Sequence, residues 1–454
     1  MAVALGTDFS LVLEENGGIV VFGRNNHGQL GLGHRMYVAI PDILSRRGVF
    51  GGEEIIMVAA GNFHAACVST AGFLWMWGSN WHGELGTDAR AQNFLVPFRV
   101  PKNRFRNENV VMVALGSHFT IVLTEEGHVW SSGRNQRGQL GHGHQDTIET
   151  FTQIDPACFG NRPIGMIAVG DSHSMAMARE VSTMMWTWGN NDFSQLGHGN
   201  YSVNTGDMCC TPTRLPPTSF GGVAVASMAA SDRYSAVVTV DGMLWVCGTN
   251  DFNCEVMRRY GQPEEFGGSG VRQISCGEHN LLVVTNNNTL CTVIPTRFDG
   301  NAHHNGSIPR ENNMSVFRGE GVHVVASGCT HSAVLTPRGK LYTCGNQDMY
   351  CERLQQMFGV GAQIQLRRHG APTTLNLPMS EKLRFGRWHM AGLAHRIAFA
   401  MGLHAHLATG DAGTAYSNMD FPGDLCTAIF NYTRIRSRPG TSRGFEDMLG
   451  RDVI

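Results

Sequence analysis

The sequence predicts an all-β fold, a closed β-propeller, and three observations carry that prediction. A unit of about 55 residues recurs in tandem along most of the 454-residue chain. Each unit contains three short apolar runs rich in Val, Ile and aromatic residues, separated by Gly or Asx turns, which is a strand signature. The early units end on the same compact turn, Gly-x-Asn-x-x-Gly-Gln-Leu-Gly or a close variant. Short strands repeated at even spacing describe a ring of blades, in which no blade buries both faces until its neighbours stack on it.

The copies can be followed in order. The first four, residues 3–33, 55–86, 110–143 and 164–199, are near-regular. In the second, IIMVAA, HAACVS and FLWMWG are the three apolar runs. A fourth strand per unit is expected near the Pro that follows the turn, as in LVPFRV (95–100) and TPTRL (211–215). Four later copies, 223–252, 271–294, 322–350 and 388–413, keep the runs and lose the Gly-Gln-Leu-Gly ending. The count is thus eight three-strand repeats, near 1–54, 55–109, 110–163, 164–222, 223–270, 271–321, 322–387 and 388–435. Together they form one propeller domain over 1–435, with a C-terminal tail at 436–454. The run CTAIFNYTRI (426–435) is placed to supply a closing strand beside the first unit, removing an exposed sheet edge.

Several positions repeat with a physical reason. The first strand ends on an anchor: Gly6, Gly61, Gly116, Gly170, Ala230, Gly277, Gly328 and Gly392. Three residues on stands His64, His173, His331 or His395, with Phe9, Phe119, Arg233 and Asn280 elsewhere, read as turn-fixing and packing rather than metal ligands. Asn25, Asn80, Asn135, Asn191 and Asn250 are placed to bond local backbone and hold the turn. Trp75, Trp77, Trp130, Trp186, Trp188 and Trp245 fall on third strands and read as blade-to-blade packing. Cys254 and Cys351 each lie seven residues after Cys247 and Cys344, an echo without an evident cause.

This combination, VxxGxxH, ALT, then G-x-L-x-x-W-G-x-N-x-x-G-Q-L-G, resembles the repeat of the regulator of chromosome condensation family over about residues 1–410. The resemblance implies a closed propeller of seven blades, against the eight units counted. One member of that family is a guanine-nucleotide exchange factor for a small GTPase, acting through a hairpin wedge inserted in one blade and a basic N-terminal tail. Blades one to three here are evenly spaced without such an insertion, and residue 1 already opens the first strand-like run. Another relative, a plant ultraviolet-B photoreceptor, carries Gly-Trp-Arg-His-Thr in successive blades, where this chain reads GNFH, GDSH and GCTH.

Composition narrows the function. Net charge is −2, so no global pull toward nucleic acid or anionic membrane is expected. No apolar stretch reaches membrane-spanning length, and there is no signal-peptide pattern, so the expected compartment is intracellular, cytoplasmic or nuclear. The twelve Cys include no CxxC pair, and Cys209-Cys210 is the one vicinal pair. Phosphate-loop, Ser-elbow and HExxH signatures are absent, so the expectation is not an enzyme, with no catalytic residue, cofactor or metal. The residues between anchor and His are expected on one rim: Asp8, Phe63, His118, Asp171, Asp232 and Glu278, an acidic edge that either attracts a basic partner or is a solvated loop. Arg434 and Arg436 in the tail are candidates for weak phosphate or acidic-partner contact. The favoured reading is a protein–protein interaction scaffold presenting loops 200–222, 295–320 and 352–384, possible as a subunit of a larger assembly; the alternative is an exchange factor or regulator for a small GTPase.

Overall fold

In the computed structural model, the described residues are 2–345, apart from 88–91, 181–182, 200–207, 217, 249–253, 262, 279, 294–309, 312–320 and 340, together with 373–375. They form seven four-stranded antiparallel sheets, each a meander in which neighbours in sequence are neighbours in the sheet. The blades cover 2–44, 55–99, 110–153, 164–214, 225–260, 271–311 and 324–375. The chain divides into two units, residues 1–346 with 366–380 and residues 347–365 with 381–454, and every described residue lies in the first.

The first strands of adjacent blades touch all the way round, including Ala2–Leu5 of blade 1 against Val324–Ser327 of blade 7. Seven blades therefore complete the ring, the number that the family resemblance implied beside the eight units counted. The eighth repeat (388–413) and the proposed closing run 426–435 lie outside the described residues. Blade 1 takes all four strands from its own repeat, so it has the same complement as its neighbours without a strand from the C-terminal end.

The core is distributed rather than central. Buried apolar residues fall into seven clusters, one between each pair of adjacent blades. Second strands are covered on both sides and read buried throughout, as Phe9–Leu13 and His64–Ser69 do, because each sheet is sandwiched between two others. The third-strand tryptophans lie in these seams: Trp77 is packed on Phe9 and Leu11 of blade 1, and Trp188 on Phe119 and Ile121 of blade 3. The Cys echo also resolves. Gly248 stands opposite Cys254, but Cys247 belongs to the seam with blade 4 and Cys254 to the seam with blade 6. The two thiols face different cores and are no disulfide pair; Cys351 is outside the described residues.

Candidate functional site

One face of the ring carries the turn from first to second strand and, in blades 1 to 4, the described loop that follows the third strand. The two are tied within a blade by backbone bonds such as Arg24 N–H to Asp8 O (2.8 Å) and Arg134 N–H to His118 O (2.9 Å). Gly133 makes that closeness possible: its φ is +112°, and a Cβ there would lie 2.4 Å from the His118 carbonyl oxygen.

The anchors form a ring of their own around the mouth of the channel. A Cβ on Gly61 would lie 2.5 Å from the Gly116 carbonyl, one on Gly277 2.8 Å from that of Gly328, and one on Gly328 2.4 Å from that of Gly6. Small residues are required because backbones of adjacent blades meet here. The fifth anchor is corrected by one position. Ser231 N–H donates to Tyr234 O as Gly6 N–H does to Phe9 O, so Ser231, not Ala230, is the equivalent residue and Tyr234, not Arg233, opens the second strand.

The residue at that opening bonds across the seam. His64 Nε2 meets Thr120 Oγ1 (3.1 Å), His173 Nε2 meets Ser235 Oγ (2.8 Å) and Asn280 Nδ2 donates to Ser332 Oγ (2.9 Å). His331 Nε2 meets Ser10 Oγ (2.9 Å), closing blade 7 on blade 1 with the same contact. Burial holds the imidazole pKa of His64 and His331 down to about 4 and that of His173 to about 3, so these rings are neutral links. His395 is outside the described residues.

Just inside the anchors, side chains converge over the mouth. Asn62 of blade 2 donates to Ser117 Oγ and to Asp171 Oδ2 of blade 4, both at 3.2 Å, and accepts from Cys329 of blade 7 at 3.5 Å. Burial, with the neighbouring carboxylates Asp232 and Glu278, raises the Asp171 pKa to about 6; Asn62 and His118 oppose the shift. Burial and the charges of Asp171, Glu278 and Asp8 push the Cys329 thiol up to about 12. The mouth is thus an acidic arc drawn from several blades.

The outer rim differs from blade to blade. In the turn loop, Gln29, Gln139 and Gln195 each accept from a backbone N–H two residues back, at 2.8–2.9 Å. Blade 2 fills that slot with Glu84, fully buried, which accepts from His82 N–H (2.7 Å) and Ser79 Oγ (2.6 Å) and faces His118 Nδ1 at 3.8 Å. Burial pushes its pKa up, but His118, His64 and Ser79 outweigh burial and leave it at about 2. Above Glu84 a chain of rings crosses three blades: His82 and His118 at 5.0 Å, His118 stacked on Phe63 at 5.1 Å, and Phe63 and His27 at 5.2 Å.

The structure places all six predicted rim residues on the turns between first and second strands of blades 1 to 6. Asp232, Glu278 and His118 come within electrostatic reach of Asp171. Asp8 bridges to Arg24 at 3.2 Å and Asp232 to Arg233 at 3.3 Å. Phe63 joins the ring chain instead of the acidic arc. Arg434 and Arg436 lie outside the described residues. Sequence reasoning missed Asn62, Glu84, His27, His82 and Cys329. The readable signal for one of them was Gly-Glu-Leu-Gly in place of Gly-Gln-Leu-Gly in the second repeat. Among the described residues, no group of three or more His, Cys, Asp or Glu is placed to hold a metal ion, and no helix is long and apolar enough to cross a membrane.

Residues 1–293 match the family model described as RCC1-like domain. The chain belongs to the RCC1-like domain family. Human E3 ubiquitin-protein ligase HERC2 is 28% identical over 319 residues, 68% of this chain and 6% of that protein. Guanine nucleotide exchange factor SRM1 of Saccharomyces cerevisiae is 30% identical over 204 residues, 44% of this chain and 40% of that protein. The chain therefore spans well under two thirds of these relatives. Among solved structures, Prp20p of Saccharomyces cerevisiae, described with its binding properties to Gsp1p and histones, shares the fold at a TM-score of 0.60 and 20% identity, covering 73% of this chain and 81% of that one. An RCC1-like domain with seven blades is the shared architecture.

Proposed function

We propose that this RCC1-like propeller is a non-enzymatic, intracellular protein–protein interaction scaffold that engages its partner through the loop face. The observation that supports this reading is the rim itself: mouth carboxylates and a three-blade chain of rings are held in place by bonds that run from one blade to the next. A surface fixed by the scaffold beneath it loses little entropy on binding. Of the three stretches expected to present loops, 200–222 contains the fourth strand of blade 4 (Met208–Arg214), and 295–320 and 352–384 lie outside the described residues except for the fourth strands Arg310–Glu311 and Thr373–Leu375. The same reading allows a subunit role in a larger assembly. Affinity purification of the full chain, compared with a variant carrying Phe63→Ala with His118→Ala and a variant carrying Asp232→Asn with Glu278→Gln, is the test. Identical partner sets for all three proteins sink the proposal.

A second reading, regulation of nucleotide exchange on a small GTPase, draws on the name of the SRM1 relative. Release of a fluorescent guanine nucleotide from a panel of small GTPases decides it. No acceleration at micromolar protein counts against it.

A further inference from the structure

Blades 1 and 3 place Asn26 and Gln136 at the tip of the turn loop, and blade 2 places Trp81 there. Trp81 is 59% exposed, the only Trp or Phe exposed among the described residues, and it makes no contribution to a seam. The adjacent residue, His82, begins the ring chain His82–His118–Phe63–His27, so Trp81 stands at the end of a half-buried aromatic surface spanning blades 1 to 3. A projecting Trp next in sequence to a chain of packed rings offers the kind of aromatic anchor that binding hot spots use.

The charges around this surface are sorted. The imidazole of His27 is lowered in pKa by burial and then by Arg24 and Arg35, and that of His82 by burial and then by His118 and Arg134, so these arginines sit close enough to act on the rings. Two carboxylates beside the rings are withdrawn: Glu84 is fully buried and Asp8 is paired with Arg24 at 3.2 Å. Asp171, Asp232 and Glu278 belong to blades 4 to 6, and Asp171 reaches the inner edge of the ring chain, where Asn62 donates to it and His118 acts on it. An incoming anionic chain is attracted to the arginines of the outer rim and repelled by the mouth carboxylates, which fixes its position as well as its sign.

We propose that the rim of blades 1 to 3 docks an acidic segment of a partner protein, with Trp81 as the anchor that becomes buried on binding. The assignment rests on the scaffold reading above and names the partner's chemistry. Nothing in the ring depends on Trp81, so its loss leaves the fold intact.

The test is selection of a random 16-residue peptide library on the immobilised full chain, followed by titration of selected peptides by fluorescence polarisation. The expected peptides are enriched in Asp and Glu around an apolar residue. Trp81→Ala weakens them by about tenfold or more. Arg35→Glu with Arg134→Glu weakens them several-fold, more at low salt than at high salt. Val240→Ala, an exposed apolar position of blade 5, leaves them unchanged, and thermal melting confirms that each variant is folded. Peptides rich in Lys and Arg, or acidic peptides indifferent to Trp81→Ala, overturn the docking assignment and leave the scaffold reading standing. A single-stranded RNA oligonucleotide that binds with the same dependence on Trp81 overturns the choice of a protein partner. A library that yields no binder also overturns the assignment, and the scaffold reading is then decided by the purification of native partners.

Discussion

Blades 1 to 4 and the described residues of blades 5 to 7 tie the same ring with overlapping hardware. In the first group the turn loop reaches the next blade through a backbone carbonyl. Gln29 O accepts from Trp77 Nε1 (2.8 Å), Glu84 O from Thr120 Oγ1 (2.6 Å), Gln139 O from Trp188 Nε1 and Ser174 Oγ (both 2.9 Å), and Gln195 O from Ser235 Oγ (2.8 Å). Asn25, Asn80, Asn135 and Asn191 hold that loop by accepting from the Leu five residues on, at 2.9–3.1 Å. Among the described residues of the second group the links come from the opening of the second strand, a device that blades 2 and 4 also use through His64 and His173. Tyr234 Oη donates to Gly277 O and Asn280 O, Asn280 to Ser332, and His331 meets Ser10. Each seam thus has a polar tie beside its apolar cluster, and either device supplies it. That redundancy explains how the later repeats shed Gly-Gln-Leu-Gly without breaking the ring.

The largest expected effect tests the loop device directly. Trp188 is fully buried in the seam between blades 3 and 4 and donates to Gln139 O, whereas Trp245 is half-buried and donates within its own blade to Thr239 Oγ1 at 3.3 Å. Trp188→Ala leaves a cavity and removes one of the two donors to Gln139 O, and is expected to cost about 3–5 kcal/mol, with Trp245→Ala costing roughly half as much. Urea unfolding of both variants measures the difference. Equal losses would mean that the seams of the two groups are built alike after all.

The acidic mouth draws on both groups and gives a pH-dependent effect. Asp171 has a folded-state pKa of about 6, above its ordinary value of 3.8, so the folded protein binds more protons between these values and is penalised once pH rises past 6. Asp171→Asn is expected to stabilise the protein by roughly 1–3 kcal/mol at pH 8, with the gain shrinking as pH falls through 6 toward 4. Melting temperatures of the two proteins across pH 4–8 test the sign. A variant less stable at pH 8 would mean that Asn62 and His118 hold the carboxylate more firmly than burial and its acidic neighbours oppose it.

The ring and its strands were legible because backbone geometry imposes the same residues in each copy. An anchor with no room for Cβ must be small, and a second strand covered on both faces must be apolar. The anchor of blade 5 was misplaced by one residue because Ser231 is small enough for the site without being Gly, so its neighbour Ala230 looked equally good. The blade count stayed open between seven and eight for a different reason: apolar runs at 388–413 satisfy the strand pattern, but ring closure is a long-range property that no local pattern contains. The rim was half legible. Residues on one turn share a sequence offset, so Asp171, Asp232 and Glu278 could be listed together. Asn62 reaching blades 4 and 7, or Glu84 lying under His118, depends on how the turns of different blades converge, which spacing along the chain does not encode.

The seams of the second group offer a smaller and more selective test. His331 and Asn280 make the same kind of bond in adjacent seams, but only His331 titrates. Burial lowers its folded-state pKa from 6.5 to about 4, so its neutral form is fully compatible with the fold at neutral pH, and stability is lost as pH falls from 6.5 toward 4. His331→Asn is expected to match the native protein at pH 7.5 and to exceed it at pH 5. His64 and His173 remain in both proteins, so the difference isolates the closing seam. No pH dependence in the difference would place the acid sensitivity elsewhere.

The smallest expected effect concerns the slot that distinguishes blade 2 within its own group. Glu84→Gln restores the residue used by blades 1, 3 and 4, and the amide oxygen can still accept from His82 N–H as Gln29, Gln139 and Gln195 accept from theirs. What disappears is the buried charge facing His118 and His64. Because the folded-state pKa of Glu84 is depressed to about 2 from 4.5, its contribution is present above pH 4.5 and lost as pH falls toward 2. The variant is therefore expected to lose on the order of 1 kcal/mol at pH 7 and to approach the native protein near pH 3, where comparison of unfolding midpoints should find the gap closed. A variant as stable as the native protein at pH 7 would show that the carboxylate adds nothing over the amide to the seam. Its value would then lie at the surface, in how it fixes the position of His118 beneath the exposed edge of the ring chain.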